Sequence, residues 1–146
     1  MPSDLEFDLR TDVKFHDGSM LDSEAVVASL SHIMKAATPP RALKGSGLTV
    51  EAVDADTVKL TTAKPDPVLP LRLADPSTAI LSKGAYASDP MNPIGFGSGP
   101  YKITKYEAGV GITLERFDDY WGGKPQLAGD AALQIAKLLN FTTIKP

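Results

Sequence analysis

Leu5, Phe7 and Leu9 alternate with Glu6 and Asp8, the period-two pattern of a strand with one buried face, and Val13 and Phe15 resume it after Arg10-Thr11-Asp12. His16-Asp17-Gly18-Ser19 supplies turn residues, and Asp22 or Ser23 is placed to cap a helix with Glu24 in its first turn, a favourable charge at the positive end of the helix dipole. Helical periodicity then runs from about Ser23 to Ala37, with Val26, Leu30, Ile33, Met34 and Ala37 on one stripe and Ser29, His32 and Lys35 largely off it. Thr38-Pro39-Pro40 ends the helix, because a residue before proline is pushed out of helical dihedrals. Past Lys44-Gly45-Ser46-Gly47, alternating runs at Leu48 to Val53 and Thr57 to Thr62 flank Asp54-Ala55-Asp56 and predict a hairpin. Val68 to Ala74 reads as a short helix capped by Asp66 with Pro67 at its first position, and Ala79-Ile80-Leu81 as a brief buried strand. A second hairpin pairs Tyr101 to Glu107 with Ile112 to Phe117. A helix over Ala131 to Leu139 and a strand over Phe141 to Ile144 complete the expected order. Strands and helices do not alternate as in a doubly wound sheet, so the fold class is α+β, mainly antiparallel, with one long and one or two short helices.

The 146 residues suit one ordinary domain, and the 12 glycines and 12 prolines point to a turn-rich chain rather than a helical bundle. With 15 basic against 18 acidic residues the chain lacks the cationic excess that nucleic acid requires. Its longest apolar run, Ala25 to Ala28, falls far short of the roughly 20 residues that span a bilayer. Met1-Pro2-Ser3-Asp4 has neither the basic nor the apolar part of a secretion signal. The absence of cysteine excludes disulfides, iron–sulfur clusters and thiol nucleophiles, and two histidines leave little for a metal.

Catalytic constellations are not found either. His16 beside Asp17 invites an acid–base or metal reading, but neighbours on a strand end point to opposite faces, and a turn with Asp17 on local amides fits the same residues. Asp118-Asp119 are adjacent carboxylates that cannot converge on one substrate atom. Ser98 in Phe96-Gly97-Ser98-Gly99-Pro100 precedes a strand, whereas a nucleophile elbow needs a helix after it, and the glycine spacing misses the dinucleotide fingerprint. Neither an enzyme nor a cofactor is expected.

Segments in fixed order carry more information: Leu9-Arg10-x-x-Val13-Lys14-Phe15-His16-Asp17-Gly18, Leu21-Asp22-Ser23-Glu24-Ala25-Val26, Pro93-Ile94-Gly95-Phe96-Gly97-Ser98-Gly99-Pro100-Tyr101 and Leu114-Glu115-Arg116-Phe117-Asp118-Asp119-Tyr120-Trp121-Gly122-Gly123-Lys124-Pro125. From about Leu5 to Pro125 the chain resembles the extracytoplasmic solute-binding proteins of peptide and nickel ABC transporters, family 5 type. The resemblance implies a partial class II periplasmic-binding-protein lobe. It corresponds to the small extra domain of the first lobe, with residues 126–146 returning as helix and strand to the main lobe. The longer Gly95 to Tyr101 turn and an insertion at Ala128 to Leu138 depart from the family pattern.

The implied function is capture of a peptide, or of nickel or another small solute, in the periplasm or on the cell surface, for delivery to permease subunits without chemistry. Gly97, Gly99 and Pro100 would set the connecting turn, and Tyr120 and Trp121 would pack as structural aromatics at the junction. Asp75, Ser77 and Thr78 are the candidate ligand-facing strip, with a turn at Asp75 before proline as the alternative. A further expectation is a homodimer, or an interaction module without a ligand of its own, formed through strand edges at Leu5 to Leu9 and Phe141 to Ile144.

Overall fold

Alternation is strictest in the strand at the centre of the first sheet. In β3 (Thr57–Thr62) Val58, Leu60 and Thr62 are buried while Thr57, Lys59 and Thr61 are half-exposed. β1 (Ser3–Asp8) and β2 (Thr49–Ala52) pair antiparallel on either side of it, giving the order β1-β3-β2. The register sets Leu5 opposite Leu60, Phe7 opposite Val58 and Val50 opposite Leu60, so the apolar positions share one face. On the other face Asp4 meets Lys59 at 2.9 Å and accepts the Thr61 hydroxyl at 2.8 Å. The structure is a computed structural model that describes residues 3–87, 94–108 and 110–127. The helix expected at Ala131 to Leu139, the strand at Phe141 to Ile144, the insertion at Ala128 to Leu138, and Pro93 lie outside the described residues.

Helix α1 (Ser23–Lys35) covers the apolar face of this sheet. Asp22 is its cap, the side chain accepting from the Ala25 amide at 2.8 Å, an arrangement worth about 1 kcal/mol. Val26 and Leu30 are buried against Leu43, Leu48, Val58, Leu60 and Leu69, and each such side chain contributes roughly 1.5–3 kcal/mol of transfer free energy. The helix ends before its expected limit because Ala36 is already extended, at ψ 143°. Ser29 is fully buried rather than off the stripe. Its hydroxyl donates to Leu81 O at 3.3 Å and accepts from Leu81 N at 3.1 Å, which lets a polar side chain sit in the packed face.

The next stretch departs from expectation. Helix α2 is only Leu69–Arg72, preceded by Val68 rather than capped by Asp66, and Pro70, not Pro67, stands in its first turn. Asp66 instead accepts from Val68 N at 3.2 Å and pairs with Arg72. No strand forms at Ala79-Ile80-Leu81: the Leu81 amide is taken by the Ser29 hydroxyl, so local apolar character did not lead to sheet pairing. A 3-10 turn at Pro76–Thr78 and a short helix α3 (Lys83–Ala87) occupy this region.

β4 (Tyr101–Glu107) and β5 (Gly111–Arg116) form the second antiparallel sheet, a hairpin. Its register shifts between Ile103 and Lys105, where a bulge at Thr104 brings Tyr106 opposite Ile112. No helix among the described residues is long and apolar enough to cross a membrane. The mixed helix and antiparallel sheet agrees with the α+β expectation.

Candidate functional site

The two sheets meet through loops, and the loop from Leu9 to Leu21 is the common partner. Phe15 and Val13 turn inward and are buried, and the turn closes with Gly18 N on Phe15 O at 3.0 Å and Gly18 at φ +89°. His16 lies between the halves. Its amide donates to Gly97 O at 2.8 Å, and its ring packs edge-on against Phe117 with centroids 4.9 Å apart. Its Nε2 is 2.9 Å from Gly99 O, and because a carbonyl only accepts, Nε2 carries the proton. That proton is held by backbone, so His16 acts as a strut between sheet and hairpin.

Asp17 is likewise committed. One carboxylate oxygen accepts from the Ser19 amide and hydroxyl at 2.9 and 2.6 Å, and the other accepts from the Ser82 hydroxyl. Burial opposes its ionisation, but the hydrogen bonds from Ser19 and Ser82 outweigh it and hold the carboxyl below its ordinary value. Ser82 is fully buried and donates its amide to Phe96 O at 2.9 Å. Gly84 follows closely because a Cβ there would stand 2.8 Å from the Phe96 ring. His16 and Asp17 therefore face different partners, as adjacent residues at a strand end do.

Gly97 and Gly99 matter through their carbonyls on His16, and neither has a positive φ among the described glycines; that conformation falls to Gly95, at φ +87°. Pro100 O receives the Phe117 amide at 2.9 Å, closing the base of the hairpin. Tyr120 and Trp121 touch with ring centroids 5.2 Å apart, yet Trp121 is 43% exposed, with the Arg10 guanidinium 4.7 Å from its ring centre. Asp12 holds Arg10 in place by a paired contact at 3.0 and 2.7 Å.

Trp121 and Arg10 stand at an open, mainly apolar cavity of about 560 Å³. Phe7 and Leu60 of the sheet, Val26 of α1, Thr78 and the Gly97 to Gly99 turn are among its walls. That volume falls within the roughly 300–1,000 Å³ of small-molecule pockets, and its lining accepts a hydrocarbon group beside a cation and an aromatic ring. The strip Asp75-Ser77-Thr78 divides here. Asp75 caps the 3-10 turn by accepting from Ser77 N at 2.9 Å, and the Ser77 amide and hydroxyl hold its carboxyl below the ordinary range. Thr78 alone of the three lines the cavity, but its hydroxyl reaches Asp75 O at 2.8 Å and Leu73 O at 2.9 Å. Arg10 stood in the sequence only as part of the Leu9-Arg10-x-x-Val13 segment, with no role given to it, although Asp12 two residues on is a natural ion-pair partner; nothing local marks Ser82.

With this geometry in hand, the chain can be placed among known proteins. Residues 3–129 match the model of bacterial extracellular solute-binding proteins, family 5 Middle, and the chain belongs to that family. It is 35% identical over 125 residues to the nickel-binding protein NikA of Staphylococcus aureus, covering 84% of this chain and 24% of that protein. It is 36% identical over 131 residues to the glutathione-binding protein GsiB of Salmonella paratyphi A, covering 82% of this chain and 24% of that protein. The oligopeptide-binding protein AppA of Bacillus subtilis, solved with a nonapeptide, superposes with a TM-score of 0.72 at 27% identity, over 94% of this chain and 31% of that one. The chain thus spans about a quarter of the length of these curated relatives. The family is one of binding proteins, which agrees with the resemblance read from the motifs.

Proposed function

We propose that the chain is part of the substrate-capture component of an ABC importer, and that its cavity receives an apolar group of a peptide ligand without covalent chemistry. The carrying observation is the open apolar hollow between sheet, α1 and the Gly97 to Gly99 turn, with Arg10 and Trp121 at its rim. Family membership supports the class of function, and the peptide bound by one structural neighbour supports the ligand class. In this reading residues 1–146 are one piece of the first lobe of a two-lobed, extracytoplasmic protein, periplasmic or anchored at the cell surface. Permease subunits receive the ligand. Nickel and glutathione binding among the relatives supports a common frame whose specificity is set by residues around it.

Thr78 is the member of the expected strip that remains a ligand neighbour in this proposal, through the cavity wall. Asp75 and Ser77 serve it as a turn. Trp121 is the chain's single tryptophan, so its emission reports on the rim. Trileucine is expected to cause a saturable change with an affinity of about 1 mM, weak because one wall alone orders a ligand poorly, while triglycine causes none. Equal responses to the two peptides, or none to either, would overturn the reading.

Among the described residues β1 stands at the edge of its sheet, which supports a second, separate proposal, that two copies pair antiparallel through Ser3–Asp8. Light scattering that finds a strict monomer at high concentration, in place of the expected dimer, ends that proposal and leaves the first intact.

A further inference from the structure

Most charged side chains at the surface of this fold are already matched. Arg10 meets Asp12, Lys14 meets Asp119, Lys59 meets Asp4, and Lys83 meets both Asp22 and Glu24. Lys44 and Lys64 have no carboxylate partner among the described residues, yet both line the same polar hollow of about 230 Å³, which shares no wall with the apolar cavity. They are distant in sequence. The fold joins them because the chain leaving β3 is tied back by Ala63 N on Ser46 O at 3.0 Å.

The hollow's third cation and its acid neutralise each other. Arg72 Nε meets Asp66 Oδ2 at 3.2 Å, and Arg72 Nη1 donates to Ala42 O at 3.1 Å. The Asp66 side chain is only 13% exposed and accepts the Val68 amide as well. The uncompensated charge is therefore that of the two lysines. Gly45 lies between them on the wall at φ +76°, and a Cβ there would meet nothing within 4 Å, so the approach is open. Two lysines on the wall of a polar concavity, with the local carboxylate already engaged, leave it with a net positive charge that favours an anion.

We propose that the hollow formed by Lys44, Gly45, Lys64 and Arg72 binds a phosphate-class anion, independently of the solute cavity. The charge serves either soluble phosphate or the phosphate of an anionic lipid headgroup. Surface charges contribute little each, so the affinity for free phosphate is of the order of 1 mM and falls with salt.

The test is a titration of the full chain with inorganic phosphate at constant ionic strength, followed by amide NMR, with chloride as the control. Saturable shifts at Gly45, Ser46 and Lys64 are expected, weakened about tenfold in K44E/K64E and less in K44Q/K64Q. Both variants change exposed side chains, and the unchanged amides of β3 report that they fold. Co-sedimentation with vesicles of phosphatidylglycerol and phosphatidylcholine forms the second arm. Pelleting that requires phosphatidylglycerol and is lost in K44E/K64E assigns the lipid headgroup, and phosphate shifts without pelleting assign soluble phosphate. Shifts no different from chloride without lysine-dependent pelleting, or phosphate shifts that survive K44E/K64E unchanged, would overturn the proposal.

Discussion

The three-stranded sheet with α1 and the β4–β5 hairpin have the same antiparallel chemistry and opposite burial. The first holds Val26, Leu30, Leu43, Leu48, Val58 and Leu60 at 6% exposure or less. Among the described residues no side chain of β4 or β5 is buried, and Tyr106 is 49% exposed. A hairpin alone is marginally stable in water, whereas a sheet covered by a helix has its own core. The difference teaches that the hairpin depends on its attachment, the His16–Gly99–Phe117 contacts and their neighbours, more than on its own strands.

Truncation is expected to separate the two regions most sharply. Leu60→Ala removes a fully buried side chain at the centre of the sheet and is expected to cost about 2–5 kcal/mol by urea denaturation. Ile103→Ala, at a half-buried hairpin position opposite Leu114, is expected to cost about 1 kcal/mol or less. Equal costs would show that the hairpin has a core as tight as the sheet's, and would break the comparison.

His16→Ala comes next. It deletes one hydrogen bond and one edge-on ring contact, together about 1–3 kcal/mol. Hydrogen exchange should accelerate in β4 and β5 while the β3 amides stay protected, since the strut is lost but the core is not. Uniform acceleration in both sheets would mean that they unfold as one unit.

How much of this was readable in advance differs between the regions for a physical reason. Leu5, Phe7, Val58 and Leu60 alternate because one face of their strands is buried, so pattern and structure coincide, and the Asp22 cap and both hairpins follow from local chemistry. Between Asp66 and Ala87 the short helix and the turn at Asp75 were legible, but the Asp66 cap and the Ala79 to Leu81 strand were not met and the helix at Lys83–Ala87 went unforeseen, because the partners there are remote. Leu81 is bound by Ser29, and Ser82 by Asp17 and Phe96, so neither strand periodicity nor a capping residue announces the outcome. The apolar cavity is of the same kind. Gly97, Gly99 and Trp121 were marked by motif and Thr78 by its place in the expected ligand-facing strip, but their assembly around Phe7, Val26 and Leu60 is tertiary.

Acid sharpens the contrast through carboxylates rather than packing. Burial works against the charged forms of Asp17 and Asp22, but hydrogen bonds from Ser19 and Ser82, and from Lys83 and Ala25, leave both below the ordinary value of 3.8. A carboxyl depressed on folding adds stability that is complete above its unfolded pKa and is lost as pH falls through the folded one. The chain should therefore lose stability below about pH 4. D17N/D22N, which keeps a competent cap at position 22, should flatten that loss, and D118N, on an exposed hairpin-end carboxylate, should flatten it less. If D118N has the larger effect, the acid-sensitive anchor lies at the hairpin end.

The smallest effect is expected at a contact that joins the two regions in plain view. Lys14 Nζ lies 2.9 Å from Asp119 Oδ2, with 39% and 59% of the two side chains exposed. Such a pair gains little in water and loses side-chain entropy, so Lys14→Ala should cost about 0.2–1 kcal/mol at low ionic strength. In about 1 M salt, where screening acts over roughly 3 Å, the difference from the parent chain should vanish. The same salt should leave the cost of His16→Ala in place, since that contact is a hydrogen bond to a carbonyl and a ring packed on Phe117. If salt instead erased the His16 effect and spared the Lys14 effect, the hairpin would be held by charge rather than by the strut.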